Sequence, residues 1–308
     1  MALALSFLVL LSLSNGLLAH HACEHGHLVN LNQTNADFLI GGIFPLHYEN
    51  KSNIFQLNEP GITWVEAFRF AIEEINRDEN LLPNITLGYH IYDSCNKPHI
   101  AMNATLKMIK QVDRIAMTSP HFPHIIDFDC NCKNESGTQP VVGIVGDASS
   151  LPSIRVASIL AASYTPQISY SSTSTELSNK AFYPSFLRTI PTDTYQAFFI
   201  ADVLKHFGWK YVNIIGSDNE YGRAGTHLLK EQLDKYEICT AVYELVDAIK
   251  NNEATERVVL KLKKEKKATV IVLWCDRQVV CLCSYLRSNN LNRTYQVRKK
   301  SKIIYNVA

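Results

Sequence analysis

One stretch narrows the folds open to this chain more than any other. It runs Gln139-Pro-Val-Val-Gly-Ile-Val-Gly-Asp-Ala-Ser-Ser-Leu-Pro-Ser-Ile-Arg-Val-Ala-Ser-Ile-Leu and on to Pro166-Gln-Ile-Ser-Tyr-Ser-Ser-Thr-Ser. Val141 to Val145 is a short apolar run of the kind buried in a parallel sheet. A polar turn follows, and then Leu151, Ile154, Ala157, Leu160 and Ala161 share one helical face. The order is strand, turn, helix, strand. Ser149 and Ser150 stand where helix caps stand, and Pro152 suits a first turn, where a missing N–H costs nothing. A helix start at the carboxyl end of a strand offers backbone N–H groups, and here two hydroxyls as well. Such a place can hold an anion such as a carboxylate.

The same alternation recurs along the chain. Phe38-Leu-Ile-Gly-Gly-Ile-Phe reads as a buried strand, followed by a loop from Leu46 to Glu59. Trp64, Phe68, Ala71, Ile72 and Ile75 then fall at helical spacing, with Glu66, Glu73 and Glu74 off that face. Asn84 to Asp93 is a second strand and Ile100 to Ile109 a second helix. From Gln111 to Gln139 the pattern lapses into a long loop containing Cys130-Asn-Cys132. After Thr173 a turn-rich link passes Phe186-Leu-Arg-Thr-Ile-Pro191 into a helix with Ile200, Val203, Leu204 and Phe207 at ideal spacing. A fresh series begins there: strand Tyr211–Ser217, helix Gly222–Tyr236, strand Ala241–Leu245, helix Glu253–Lys267, strand Thr269–Trp274 and helix Val279–Asn289. This is an α/β chain with doubly wound parallel sheets in two lobes, which would form a cleft lined by the carboxyl ends of strands.

Met1 to Ala19 is apolar and small throughout and reads as a secretory signal, residues 1–19. Beyond it no run of eighteen apolar residues occurs. Asn-x-Ser/Thr acceptor sites at Asn32, Asn50, Asn84, Asn103, Asn134 and Asn292 agree with passage through the secretory pathway to the extracellular side. The 8 cysteines are therefore disulfide candidates. Cys275, Cys281 and Cys283 lack the histidines of a standard zinc set, and the histidines of His20-His-Ala-Cys-Glu-His-Gly-His read as an unorganised new N-terminus. A net charge of +1 gives no footprint for nucleic acid. The lysines from Lys261 to Lys267 read as the solvated end of a helix, and Arg298-Lys-Lys-Ser-Lys as an exposed tail.

Glu73-Glu-Ile-Asn with Leu81-Leu-Pro-Asn-Ile-Thr-Leu-Gly-Tyr, Cys130-Asn-Cys, Pro166-Gln-Ile-Ser-Tyr, Phe186-Leu-Arg-Thr-Ile-Pro and Glu220-Tyr-Gly-Arg together resemble the extracellular ligand-binding module of class C G-protein-coupled receptors. The resemblance runs from about Asp37 to Asn292 and is strongest to the calcium-sensing, amino-acid, taste and pheromone group. It implies a bilobed clamshell related to periplasmic binding proteins, working as a dimer. Lobe 1 would then be residues 20–190 and lobe 2, incomplete, residues 191–297, with 298–308 a divergent basic tail.

Carried over residue by residue, the resemblance places an α-amino-acid carboxylate on Ser149 and Ser150. Ser171 and Thr173 would contact both the carboxylate and the ammonium. Asp193 would take the ammonium, Tyr221 would approach from the second lobe, and Trp64 would lie near the side-chain pocket. The residue types suit this, with hydroxyls for an anion and a carboxylate and a π-face for a cation. Read alone, Asp193 could equally cap the helix it precedes, and Trp64 and Tyr221 could be packing residues. Relatives that bind acidic side chains carry basic residues where this chain has Pro60 and Thr63, which favours a neutral or apolar amino acid. No cofactor is implied. Calcium is open, with Asp218, Glu220 and Asp276 the acidic residues available for it.

In the family the counterpart of Cys95 pairs with a cysteine in the loop before the first helix. Leu46 to Glu59 has none, so Cys23 becomes the expected partner. Cys130 and Cys132 match cysteines that join two protomers, and Cys239 matches one whose partner lies in a downstream Cys-rich domain. Past Val297 the family's hydrophobic strand gives way to Arg298-Lys-Lys-Ser-Lys-Ile-Ile-Tyr-Asn-Val-Ala. The chain accordingly reads as a truncated product or incomplete gene model that lacks the Cys-rich segment and membrane helices, with an uncovered sheet edge. Two roles follow. One is the ligand-binding region of a receptor whose closure in a homodimer or heterodimer signals to a G protein through the missing transmembrane part. The other is a secreted partner that pairs with full-length receptors and blocks them. An enzyme is disfavoured by the absence of Gly-x-Ser-x-Gly, Gly-x-Gly-x-x-Gly and Gly-Lys-Ser/Thr signatures.

Overall fold

The computed structural model describes residues 23, 33, 35–49, 55–116, 140–246, 252–275 and 302–307. The signal segment 1–19, Cys130, Cys132, Cys281, Cys283, Asp276, the acceptor sites Asn32, Asn50, Asn134 and Asn292, and the expected helix at 279–289 lie outside the described residues. The chain divides into two units, Met1–Ser172 with Glu176–Thr189, and Thr173–Thr175 with Ile190–Ala308.

The first unit holds, in chain order, β1 (Phe38–Phe44), β2 (His47–Glu49), β3 (Phe55–Leu57), α1 (Glu59–Arg77), β4 (Leu87–Asp93), α2 (Pro98–Ala116), β5 (Val141–Val145), α3 (Ser150–Ser163), β6 (Gln167–Ser169) and β7 (Phe186–Arg188). Its five-stranded sheet has the order β4-β1-β5-β6-β7, with every pairing parallel. β1 is apolar along its length because both faces are covered. Phe44 and Ile91 pack with Val65, Phe68 and Ile72 of α1 on one face. On the other, Leu39 and Ile43 pack with Ala104 and Met108 of α2 and Val156 and Leu160 of α3. Each fully buried aliphatic or aromatic side chain contributes about 1.5–3 kcal/mol relative to exposure.

The second unit follows with α4 (Asp193–His206), β8 (Tyr211–Ser217), α5 (Glu220–Lys235), β9 (Cys239–Val246), α6 (Asn252–Lys264), β10 (Val270–Cys275) and β11 (Lys302–Val307). Its sheet order is β11-β10-β8-β9, again parallel. Val212, Ile214, Val270, Val272 and Trp274 face α4 and α5, while Ile215, Ile271 and Leu273 face α6. Among the described residues no helix is long and apolar enough to cross a membrane.

Three segments differ from expectation. The loop expected from Leu46 to Glu59 contains an antiparallel hairpin, β2 with β3, and the link after Thr173 contains β7. The segment expected as an exposed tail supplies β11, in register from Val270↔Lys302 to Cys275↔Val307. Ile303, Ile304 and Tyr305 give it the residue types of a strand despite the lysines that precede it. Helix faces shift as well. Val65 rather than the exposed Ala71 fills the α1 core face, Leu151 is exposed at the start of α3, and Phe207 lies outside α4, stacked on Trp209 at 4.8 Å.

Gly225 sets the closeness of α5 to β10. A Cβ there would lie 2.0 Å from Trp274 Nε1 and 2.1 Å from its Cε2, and Trp274 is fully buried. Gly225→Ala is therefore expected to destabilise the chain by about 1–3 kcal/mol through overpacking. Equilibrium urea unfolding measures this, and an unchanged midpoint would mean that the indole has room to move.

Candidate functional site

The candidate residues of the first unit lie at the turn from β5 into α3. Gly146 has φ +130°, and a Cβ on it would sit 2.1 Å from the Ile43 carbonyl oxygen, so only glycine lets this turn pass so close to β1. Ser149 is the N-cap of α3, in an extended conformation, but its side chain makes no cap hydrogen bond. Its Oγ donates instead to Asn96 Oδ1 at 2.5 Å. The first-turn amides of α3 are thus not capped by the residue placed to cap them, and amides of a first turn have no intrahelical acceptors. Ser149 and Ser150 are both half-buried.

A buried polar network fixes this turn against the segment after β6. Ser153 Oγ and Ser169 Oγ donate to the Asp147 carbonyl at 3.0 and 2.8 Å, and Ser172 Oγ lies 2.6 Å from Ser153 Oγ. Ser169 Oγ accepts from the backbone N–H groups of Ser171 and Ser172, and Gln167 Nε2 donates to the Gly146 carbonyl. The network ties the turn that carries Ser149 and Ser150 to the segment that carries Ser171. Ser153, Ser169, Ser172 and Gln167, which hold it together, carry no local sequence signal because the bonds that join the two segments span 14–25 positions.

Asp147 is the main residue that sequence reasoning missed. Its Oδ1 accepts the Ser149 N–H at 3.0 Å, while its Oδ2 is buried with no hydrogen-bond partner among the described residues. Burial pushes its carboxyl up from 3.8 to about 6, against the pull of Ser94 and the Ser149 and Ala148 amides, and the neighbouring Asp93 charge adds to the rise. The signal was legible in principle, as an acidic residue between an apolar strand and a helix start.

Trp64 is half-buried, with its ring 5.1 Å from that of Tyr170, which also stacks on Phe44 at 5.6 Å. It packs against the core of α1 and β4. Burial raises the Tyr170 phenol far above its ordinary value, and the Asp147 charge adds to this.

The second unit carries the other residues. Thr192, not Asp193, has the N-cap position of α4. Asp193 is the first helical residue, almost fully buried, and its N–H donates to the Thr173 carbonyl at 2.9 Å. The N-cap position open to Asp193 in the sequence therefore belongs to its neighbour, whose side chain makes no cap hydrogen bond. Tyr221 lies in the first turn of α5, half-buried, 6.1 Å from the Trp274 ring. Asn219 caps that helix by accepting from Gly222 N–H. Asp218 is paired with Arg223 at 2.6 Å and Glu220 is exposed. Among the described residues the one group with metal-ligand spacing lies elsewhere, at Cys23, His47, Asp93 and Cys95. Cys23 and Cys95 are joined by a disulfide. Asn84 is exposed, and Asn103 is exposed within α2, where the Thr105 hydroxyl of its acceptor triplet is buried against the Ala101 carbonyl.

Comparison with known proteins gives one consistent answer. Residues 63–286 match the family described as the receptor family ligand binding region. The extracellular calcium-sensing receptor of Homo sapiens is 35% identical over 252 residues, 78% of this chain and 22% of the relative. The same receptor of Bos taurus is 35% identical over the same span. The metabotropic glutamate receptor of Drosophila melanogaster is 30% identical over 275 residues, 87% of this chain and 26% of the relative. The chain thus spans about a quarter of the length of the curated relatives it matches.

Asp147 sets an expected pH dependence. Its folded value of about 6 lies above its ordinary 3.8, so the folded state binds the proton more tightly and stability falls as pH rises through that window. At neutral pH the buried charge costs on the order of 3 kcal/mol. Asp147→Asn is expected to be the more stable form above the window and to lose that advantage below it. Urea unfolding of both forms across pH checks this; parallel profiles would show that Asp147 titrates normally.

Proposed function

The chain belongs to the receptor family ligand binding region and is the ligand-binding region of a class C G-protein-coupled receptor, and on that premise we propose that it binds a free, neutral α-amino acid. The observation that carries this reading is the start of α3, where Ser149 commits its hydroxyl to Asn96 and leaves the first-turn amides to be met by something other than their own cap. A ligand carboxylate suits those amides and the Ser150 hydroxyl, since the helix terminus carries partial positive charge. Ser171 lies on the same network and adds a hydroxyl.

From the second unit, Asp193 is the acidic partner for the ammonium and Thr173 holds its backbone in place. Tyr221 supplies an aromatic face to the same cation. Trp64 borders the ligand side chain. The first turn of α1 carries Glu59 as its charged residue, with Pro60 and Thr63 beside it, so an acidic side chain would meet no base there. That argues against glutamate, the ligand in the name of the Drosophila relative. Calcium, in the name of the others, would need carboxylates to spare, and Asp218 is already neutralised by Arg223.

Contacts to both units would favour a closed form only through their difference in affinity between open and closed states. In the whole receptor such closure would act through a dimer, with Cys130 and Cys132 as interchain links, and reach a G protein through a membrane part.

Isothermal titration of the folded chain with neutral L-amino acids tests this. Binding is expected for at least one of them, with Ser150→Ala weakening it by roughly tenfold and Asp193→Asn by roughly ten- to a hundredfold, as for lost charge-assisted hydrogen bonds. The methyl ester of that amino acid is expected to bind poorly. A folded chain that binds none of them, or binds equally well in both variants, would sink the reading.

A further inference from the structure

The first unit holds a carboxylate of its own beside the place where the ligand would bring a second one. Asp147 lies just before the N-cap of α3 and has no exposed surface. Its Oδ1 accepts the Ser149 N–H at 3.0 Å, and its Oδ2 is buried without a hydrogen-bond partner among the described residues. We propose that Asp147 couples ligand binding to proton uptake, taking a proton from solvent as the ligand carboxylate docks at the start of α3, so that affinity for the amino acid rises as pH falls. The inference rests on the reading that the carboxylate docks there.

The geometry gives the two anions one turn to share. Asp147 occupies the amide that opens the cap, and a ligand carboxylate would take the amides of the first turn that follows it. Asp147 is held where it stands. Its carbonyl accepts from the hydroxyls of Ser153, Ser169 and Ser172 at 3.0, 2.8 and 3.2 Å, and Gly146 before it packs against the Ile43 carbonyl. Two carboxylates confined in a site closed to solvent do not both stay ionised, and the pair keeps a proton. Oδ2 is the oxygen that takes it, since Oδ1 already accepts from an amide and an anionic oxygen without a donor is costly to bury.

Among the described residues the surrounding groups supply no cation to spare the proton. Asp93, at the end of β4, adds a like charge, with its Oδ2 engaged by the His47 ring, and Ser94 offers a hydroxyl. Lys97, in the loop that follows, is paired with Glu49 at 2.9 Å. The Tyr170 phenol, after β6, is kept neutral by burial. Arg155, the charged residue of α3, is exposed and bears on Tyr183. The free carboxyl stands at about 6, so a further rise on ligand binding carries it across neutral pH, where an ordinary carboxylate raised as far would stay largely ionised. The sign follows from linkage. The complex holds more protons than the free chain, so affinity falls as pH rises above the free value and levels off above the raised one.

The test is isothermal titration of the full chain with neutral L-amino acids between about pH 5 and about pH 7, a range in which the ligand carboxyl is ionised throughout. Each pH is run in two buffers of different ionisation enthalpy, so that the heat reports protons taken up as well as affinity. Binding is expected to be roughly tenfold weaker at the upper end than at the lower, with uptake approaching one proton per ligand at the upper end. Asp147→Asn is expected to lose the uptake and to bind near neutral pH about as tightly as the unaltered chain does in acid. Asp147→Ser serves if that variant does not fold. Binding without uptake in the unaltered chain would overturn the proposal and leave the amino-acid reading standing, and uptake that persists in a folded variant would overturn it by placing the proton elsewhere. Absence of binding at every pH would overturn the amino-acid reading and this inference with it.

Discussion

The geometry of the first unit depends on one buried carboxylate. Asp93, at the end of β4, accepts from the amides of Leu46 and Cys95 and from the His47 ring, with the His47 amide at a longer 3.4 Å. An unpartnered buried carboxylate would cost several kcal/mol. Saturated with donors, it ties together segments 46 and 47 positions apart in the chain, the corner between β1 and β2 on one side and the loop after β4 on the other. That loop carries Cys95 and Asn96, both with positive φ, and Asn96 in turn holds the hydroxyl of Ser149. The position of the α3 cap therefore follows from a hydrogen-bonded hub at the far end of the loop that carries Asn96.

The two units position their candidate residues by different means. In the first, hydroxyls and amides buried beneath the β5–α3 turn set the backbone, and Asp147 remains ionisable within them. Such a network specifies one arrangement because each donor is costly to leave unmet. In the second, Tyr221 is placed by apolar packing. α5 lies against the sheet through Gly222 and Gly225, whose missing side chains admit Ser217 and Trp274, and the Trp274 ring then meets Tyr221.

How much of this was readable beforehand follows from how local each determinant is. Strand and helix periods report only on near neighbours and on which face is buried, so β1, β4, β5 and β8 with their helices could be read directly, as could the α/β class. β2, β3 and β7 are three residues each, too short to show a period. β11 was masked by the lysines next to Ile303 and Ile304, since charge runs argue for solvent even where a strand begins. In the site, Ser149 and Ser150 stand out through the proline and strand beside them. Ser153, Ser169 and Ser172 do not, because a serine in a sequence says nothing of which distant carbonyl it will meet. Asp193 was ambiguous for a related reason: capping depends on backbone angles at Thr192 that differ by one position from the alternative.

The aromatic pairs have an optical consequence. The chain has 3 tryptophans. Trp64 lies beside Tyr170 in the first unit, and the second holds both Trp274, beside Tyr221, and Trp209, on Phe207. Each unit thus carries its own built-in chromophore within van der Waals range of a residue at or next to the α3 turn or the α5 start. Replacing two of the three indoles would turn the intrinsic emission of the remaining one into a reporter on a single unit, without any attached dye.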